Sequence, residues 1–402
     1  MTANHRRKAA VIASCAAIFW PGSFIFGFPG VMGPHWQEAF GAGSGEMGKC
    51  LFFILAGVGI FMYPTGRCQE KIGTAGLAAF GALLCGGSAV MVGYARSITM
   101  VYVWAFMVGV SSALIYIPAL TVVQRCYPRR RGLVSGVVNM VFGLSAAPMS
   151  PVFVRMQNSL GTSSMTVITG LAALAVGLAA SGFISGAQSA DTAPPNVQPA
   201  EQNQHGSLTI RESIGTRAFW CIWCTWALAG AAGISMVTHS VSFGLAQGLS
   251  MHKAVLLLTA FNLTNGLGRL VSGHLSDMFG RNGIMSVAFI AAGGAYLLLP
   301  RLPGIVAWTI LVALVGFAFG TLFAVSAPLT SDCFGMKHFG AVFGLIFTAY
   351  GFVAGPLGPW LSGHLLDATG SDYHTVFLYL AMLYFVSAVL IWCAKPPKPA
   401  GS

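Results

Sequence analysis

The stretch Ala254–Gly273, AVLLLTAFNLTNGLGRLVSG, decides the fold. It is an apolar run of about twenty residues, the length at which a helix crosses roughly 30 Å of hydrocarbon. Arg269 lies inside it, with Asn265 one helical turn earlier on the same face. A charge at that depth costs about 2.5–3.5 kcal/mol on insertion scales and marks a pathway or a binding site. Snorkelling is the alternative, since Arg269 is close to the end of the segment. Asp277 and Arg281, however, already occupy the water-facing edge beyond it. Arg269 is therefore the candidate anion-binding residue, and Asn265 its neighbour.

The rest of the chain repeats this composition. Its 402 residues have a mean hydropathy of +0.74, with 8% charged and 55% hydrophobic side chains. So little charge cannot cover a soluble surface, and a polytopic membrane protein is expected. The net charge of +11 is spread over short loops between apolar runs. That distribution fits membrane topology and argues against a nucleic-acid partner. The cysteines stand mostly alone in apolar segments, where a thiol behaves as a small hydrophobe. Cys221 and Cys224 form a C-x-x-C, but within a Trp-rich apolar run and without a second pair, so a metal role is not expected.

The hydropathy pattern predicts twelve spans, roughly 9–30, 46–66, 74–95, 99–124, 132–154, 163–187, 218–245, 254–274, 283–300, 305–331, 340–365 and 375–394. The basic N-terminal HRRK before the first run could suggest a signal peptide. No small-residue cleavage site is evident, and the run is read as a retained span. Pro21 and Pro29 interrupt it, and bent helix is tolerated in a membrane where the freed backbone groups meet protein or a wet cavity. On one side of the membrane only Lys49, Arg96, Arg155, Lys253 and Arg301 supply basic charge. The other side, with both termini, holds nearly all the rest, so the termini are placed in the cytoplasm. A Pro/Gln/Asn-rich segment, 188–217, cannot bury a core and reads as a cytoplasmic linker. It divides the chain into six-span halves, 1–187 and 218–402. Thr209 with Glu212 predicts a capping box just before span seven.

The halves carry a matching loop. Gly66, Glu70 and Gly73 stand between spans two and three, and Gly273, Asp277 and Gly280 between spans eight and nine, the latter followed by Arg281. Both read G-x-x-x-acid-x-x-G at the same place in their half, which indicates an internal repeat. The glycines allow tight turns, and the acid can cap a helix or meet a base, so these residues are gating candidates.

With these loops the chain resembles a major facilitator superfamily transporter. It is most similar to the monocarboxylate transporter branch, with the oxalate/formate exchangers near by. After span four that branch has an aromatic residue, a basic cluster and then L-A-x-G. This chain has Tyr127-Pro128-Arg129-Arg130-Arg131-Gly132-Leu133-Val134-Ser135-Gly136. The stretches Ser331–Gly335, Gly355–Gly358 and Gly363–Gly370 resemble the branch as well. Two positions depart from its animal members. Asn265 replaces an Asp one turn before the span-eight Arg, and Gly30 follows Phe28-Pro29 where they have a Lys.

The resemblance implies an all-α membrane protein, two pseudo-symmetric six-helix bundles around a central site, working by alternating access. It implies transport of a small monocarboxylate of the lactate or pyruvate kind, coupled to a proton, by a monomer in the plasma (inner) membrane. An anion exchanger is the alternative, and a non-transporting carboxylate sensor a more distant one. The sequence offers no nucleophile–base pair, metal cluster or phosphate loop, so neither catalysis nor a cofactor is expected. Around Arg269 and Asn265, the further substrate-site candidates are Tyr116, Phe28, Asn139, Phe323 and Tyr350. Tyr116 is a phenol in need of a partner, and Phe28 lies on the proline-bent backbone. Asn139 also reads as interhelical glue, and Phe323 and Tyr350 as core unless their helices turn inward. With no acid well inside a span, His239 and Asp277 are the candidates for proton coupling.

Overall fold

Each apolar run becomes helix, and a computed structural model describes residues 3–42, 44–188, 207–370 and 372–397. Most of the linker, 189–206, lies outside the described residues. In the first half the helices are α1 (Ala3–Phe26), α2 (Phe28–Phe40), α3 (Ser44–Ile72), α4 (Thr74–Val92), α5 (Ile98–Cys126), α6 (Arg131–Leu144), α7 (Ala146–Leu160) and α8 (Thr162–Gln188). They are followed by α9 (Ile210–Ile214), α10 (Arg217–Ala246), α11 (Met251–Phe279), α12 (Arg281–Leu298) and α13 (Ile305–Phe334). Then come α14 (Phe339–Ala349), α15 (Leu361–Ala368) and α16 (Tyr373–Cys393).

Among the described residues, eleven helical stretches are long and apolar enough to cross a membrane. The run expected at 283–300 is α12, whose 18 residues begin with Arg281 and Asn282. Those two polar residues shorten its apolar stretch. The first span is longer than expected, reaching from His5 to Phe40. It is divided at Gly27, two residues before Pro29, which has no N–H to return to Ile25. Span five divides the same way at Ser145, where Pro148 cannot donate to Leu144.

The chain forms two compact units. The first comprises 1–128, 141–202 and 343–345; the second comprises 129–140, 203–342 and 346–402. In the first, α3 lies along α5, and α4 and α1 each pack on both α5 and α8. Five aromatic residues, Phe24, Phe28, Trp36, Trp104 and Phe153, close one region of this unit, with ring centroids 5.2–6.0 Å apart. In the second unit α11 lies along α13, where Thr264 Oγ1 donates to Ala313 O at 2.8 Å. The α12 helix packs between α13 and α16.

The paired loops also match in backbone. Gly73 and Gly280 take φ of +83° and +90°, each immediately before the next helix. That is the left-handed region in which a side chain is strained, so the final glycine of both loops serves the same turn.

The capping box is present. Glu212 Oε2 accepts from Thr209 N at 2.7 Å, and Thr209 Oγ1 accepts from Glu212 N at 3.3 Å. Leu208 N donates to Phe334 O at 3.1 Å, which ties this segment to the end of α13. The hydrogen bonds from Thr209 N–H and hydroxyl hold the Glu212 carboxyl below its ordinary value. A depressed carboxylate stabilises the cap above the unfolded value, near 4.3, and the effect fades as pH falls through the folded value. Proteolytic nicking of 207–216 should therefore begin only at a pH well below that at which an ordinary glutamate protonates, and Thr209→Ala should move its onset toward neutral pH.

Candidate substrate site

Arg269 is 1% exposed and its guanidinium hydrogen-bonds to protein, so it does not snorkel. Nε and Nη2 donate to Asn265 Oδ1 at 3.3 and 3.2 Å, and Nη1 donates to the Asn139 carbonyl at 3.0 Å. The i, i+4 spacing on α11 puts Asn265 within reach, as its sequence position indicates. The Asn139 contribution comes from its backbone, while its amide Nδ2 donates to Ser135 O at 2.9 Å. Close helix approach makes this possible. A Cβ on Gly136 would stand 2.4 Å from Arg269 O, so any side chain there would force α6 and α11 apart.

The other wall is aromatic. Arg269 Cζ lies 4.5 Å from the centre of the Phe323 ring, a cation–π contact worth about 2 kcal/mol when desolvated. Phe323 packs edge-on against Trp226 and Tyr350, at 5.0 and 5.5 Å, and Phe347 and Phe319 complete the cluster. Tyr350 and Phe323, read from the sequence as core unless their helices turn inward, thus share a wall with Arg269. Trp226 and Phe347 escaped the sequence reading, because an aromatic residue in an apolar run gives no sign of the face it occupies. Among the described residues, Arg269 is the one buried side chain that carries a full charge.

Tyr116 and Phe28 belong to the first unit. Tyr116 is 1% exposed and its ring stacks on Phe343 at 6.4 Å and tilts against Phe142. Phe28 is completely buried within the aromatic group described above. His239 is buried in the second unit, its Nε2 2.7 Å from Ser362 Oγ.

Asp277 lies at the end of α11 and holds the start of α6. Its two oxygens accept from Gly132 N at 2.9 Å and Leu133 N at 2.8 Å, and Arg281 Nη1 donates to the same carboxylate. A carboxylate at a helix N-terminus satisfies orphan donors and faces the positive end of the dipole. Arg281 also bonds Asp332, at 3.1 Å, and Arg131 bonds the other oxygen of Asp332, at 3.1 Å. These bonds, with Arg269 on Asn139, explain why 129–140 groups with the second unit. The matching Gly66 and Glu70, expected in a loop, lie instead in the last turns of α3, with Glu70 exposed, and only Gly73 stands between α3 and α4.

The helical bundle has counterparts among known proteins. The Major Facilitator Superfamily pattern matches residues 12–356 and, again, 246–402. The chain belongs to the Major Facilitator Superfamily. This member is 25% identical over 315 residues to the oxalate:formate antiporter of Oxalobacter formigenes, covering 77% of the chain and 73% of the relative. It is 22% identical over 379 residues to monocarboxylate transporter 12 of Rattus norvegicus, covering 87% and 76%. Its fold matches the E. coli fucose:proton symporter FucP with a TM-score of 0.70 at 15% identity, over 96% of this chain and 98% of that one. The proton:xylose symporter XylE gives 0.75 at 14% identity, over 98% and 96%. The facilitator is thus an all-helical, multi-pass membrane transporter, and not an enzyme.

Proposed function

We propose that this transporter carries small monocarboxylates of the lactate or pyruvate kind, with Arg269 as the anion site. The observation that carries the reading is a buried guanidinium beside an aromatic wall. A carboxylate meeting the fork of Arg269 bidentately forms a charge-assisted pair. At 4 Å and an effective dielectric near 20 the attraction is about 4 kcal/mol. That is close to the insertion cost of the arginine, so the site loads without trapping its ligand. The aromatic rings suit a short apolar tail, and one buried cation suits one negative charge. Transport follows an alternating-access cycle. The protein works as a monomer in the plasma (inner) membrane with both termini in the cytoplasm.

Coupling has two readings. Moving a lone anion against the membrane potential costs about 2.3 kcal/mol per 100 mV, and a co-transported proton removes that cost. Of the two titratable candidates, His239 and Asp277, Asp277 is the one through which proton symport would run. Exchange of one anion for another is electrically silent as well, and Asn265 favours it. Its amide holds Arg269 with a dipole and takes up no proton, so the site is neutral when a monoanion occupies it. The antiport for which the Oxalobacter relative is named supports that reading.

The test is uptake into proteoliposomes of a panel of labelled carboxylates, with voltage clamped by potassium and valinomycin. Uptake that requires an internal carboxylate and ignores a pH gradient supports exchange; uptake driven by the gradient into empty vesicles supports symport. Failure to carry any carboxylate overturns the reading. Asn265→Asp places a titratable group one turn from Arg269. It should make transport pH-dependent while leaving the order of preferred substrates unchanged, and a pH profile identical to wild type would place residue 265 outside the proton path.

A further inference from the structure

Span eleven is where a helix changes pitch. Pro356 and Pro359 have no N–H to return to Phe352 and Gly355, so the α-type ladder loses two rungs. The backbone accommodates this with two π-helical turns, Tyr350–Ala354 and Pro356–Trp360, and regular helix resumes in α15. Turns of this kind are scarce and concentrate at working positions. The first begins at Tyr350, whose ring meets Phe323 beside Arg269.

Such a segment needs support from its neighbours, and three contacts supply it. Tyr379 Oη donates to Leu357 O at 2.6 Å. A Cβ on Gly358 would stand 2.4 Å from Ala231 O and 2.9 Å from Ser235 Oγ, so the segment lies directly on α10. At its far end Ser362 Oγ and His239 Nε2 are 2.7 Å apart, with both residues buried.

We propose that His239 and Ser362 are positioning residues. Their hydrogen bond clamps the end of the π-helical segment to α10 and so fixes Tyr350 against Phe323 at the Arg269 site. One ring nitrogen and one hydroxyl satisfy each other, and the clamp works without proton transfer. His239 thereby serves the site through Ser362 and not as a proton carrier. For its effect on transport the clamp rests on the carboxylate reading; its effect on span eleven does not.

Two measurements test it together. The first is hydrogen–deuterium exchange over 350–362 in the purified, full-length protein. The second is KM and kcat between pH 6 and 8 for whichever of labelled formate, acetate, lactate or oxalate the wild type carries fastest. His239→Ala and Ser362→Ala should each speed exchange in the segment about three- to tenfold, the equilibrium worth of one hydrogen bond. KM should rise by a similar factor with kcat nearly unchanged, and the double variant should be no worse than either single one. His239→Gln keeps a hydrogen-bonding group in reach of Ser362 and should restore exchange rate, KM and pH profile. Unchanged exchange in both alanine variants overturns the clamp. So does a glutamine variant with wild-type exchange but lost activity or an altered pH profile, since His239 would then be moving protons. If exchange responds as expected while no acid in the panel is carried by the wild type, the clamp stands and the carboxylate reading falls.

Discussion

Arg269→Ala is expected to abolish carboxylate uptake in a protein that still inserts and folds. Truncating one member of a buried, hydrogen-bonded charge pair costs about 2–5 kcal/mol, or roughly thirty- to several-thousand-fold in affinity. Folding is affected less, because the alanine variant also removes a buried charge whose insertion is itself costly. What remains is the amide oxygen of Asn265 and the Asn139 carbonyl without their donor, on helices whose other contacts are intact. Arg269→Lys should recover little. Lysine offers a compact ammonium where two parallel donors are needed, and it gives up the guanidinium's contact with the Phe323 ring. Uptake in proteoliposomes, read beside a size-exclusion profile and a melting curve, separates binding from folding. Wild-type uptake by the alanine variant would sink the assignment.

Asp277→Ala carries the second large effect. The carboxylate joins two backbone N–H groups at the start of α6 to Arg281; without it both N–H groups lose their acceptor, and Arg281 keeps Asp332 and Ser276. Loss of a cap costs about 0.5–2 kcal/mol, and loss of a charged hydrogen bond about 1.5–3. A fall in melting temperature with a marked drop in uptake rate is the expected result. Asp277→Asn retains an acceptor for one N–H and should recover part of the stability. If the alanine variant melted and transported like wild type, the start of α6 would be held by other contacts. The mutation also removes one of the two candidates for proton coupling, so the pH profile of the asparagine variant is informative: an unchanged profile excludes Asp277 as the carrier.

The span pattern and the site were legible to different degrees. Length and hydropathy were enough to place the helices, because a membrane admits few alternatives to an apolar run of about twenty residues. Arg269 was legible for the same reason: its charge conflicts with its surroundings, and the conflict shows in one line of sequence. Asn265 followed from helical spacing. The partner at Asn139 was named for its amide, yet the atom that meets Arg269 is a backbone oxygen, which every residue has and no sequence can single out. Trp226 and Phe347 were hidden because hydrophobic and aromatic residues are favourable on every face of a membrane helix. The π-helical turns could have been sought from the spacing of Pro356 and Pro359. The proline pair says that the ladder must break, but not that Ser362 would then meet His239.

The attachment of α6 joins two kinds of bond along one helix. Near its start are Asp277, Arg281, Asp332 and Arg131, whose side chains range from 8% to 36% exposed. Further along is the contact between Arg269 and Asn139, sealed from water. Dissolved ions screen the first group over a length of about 8 Å at 0.15 M and leave the second almost untouched. Ionic strength on the side that bathes Asp332 therefore acts on the ion pairs at the start of this helix, and hardly at all on the bond that Arg269 makes to Asn139 further along.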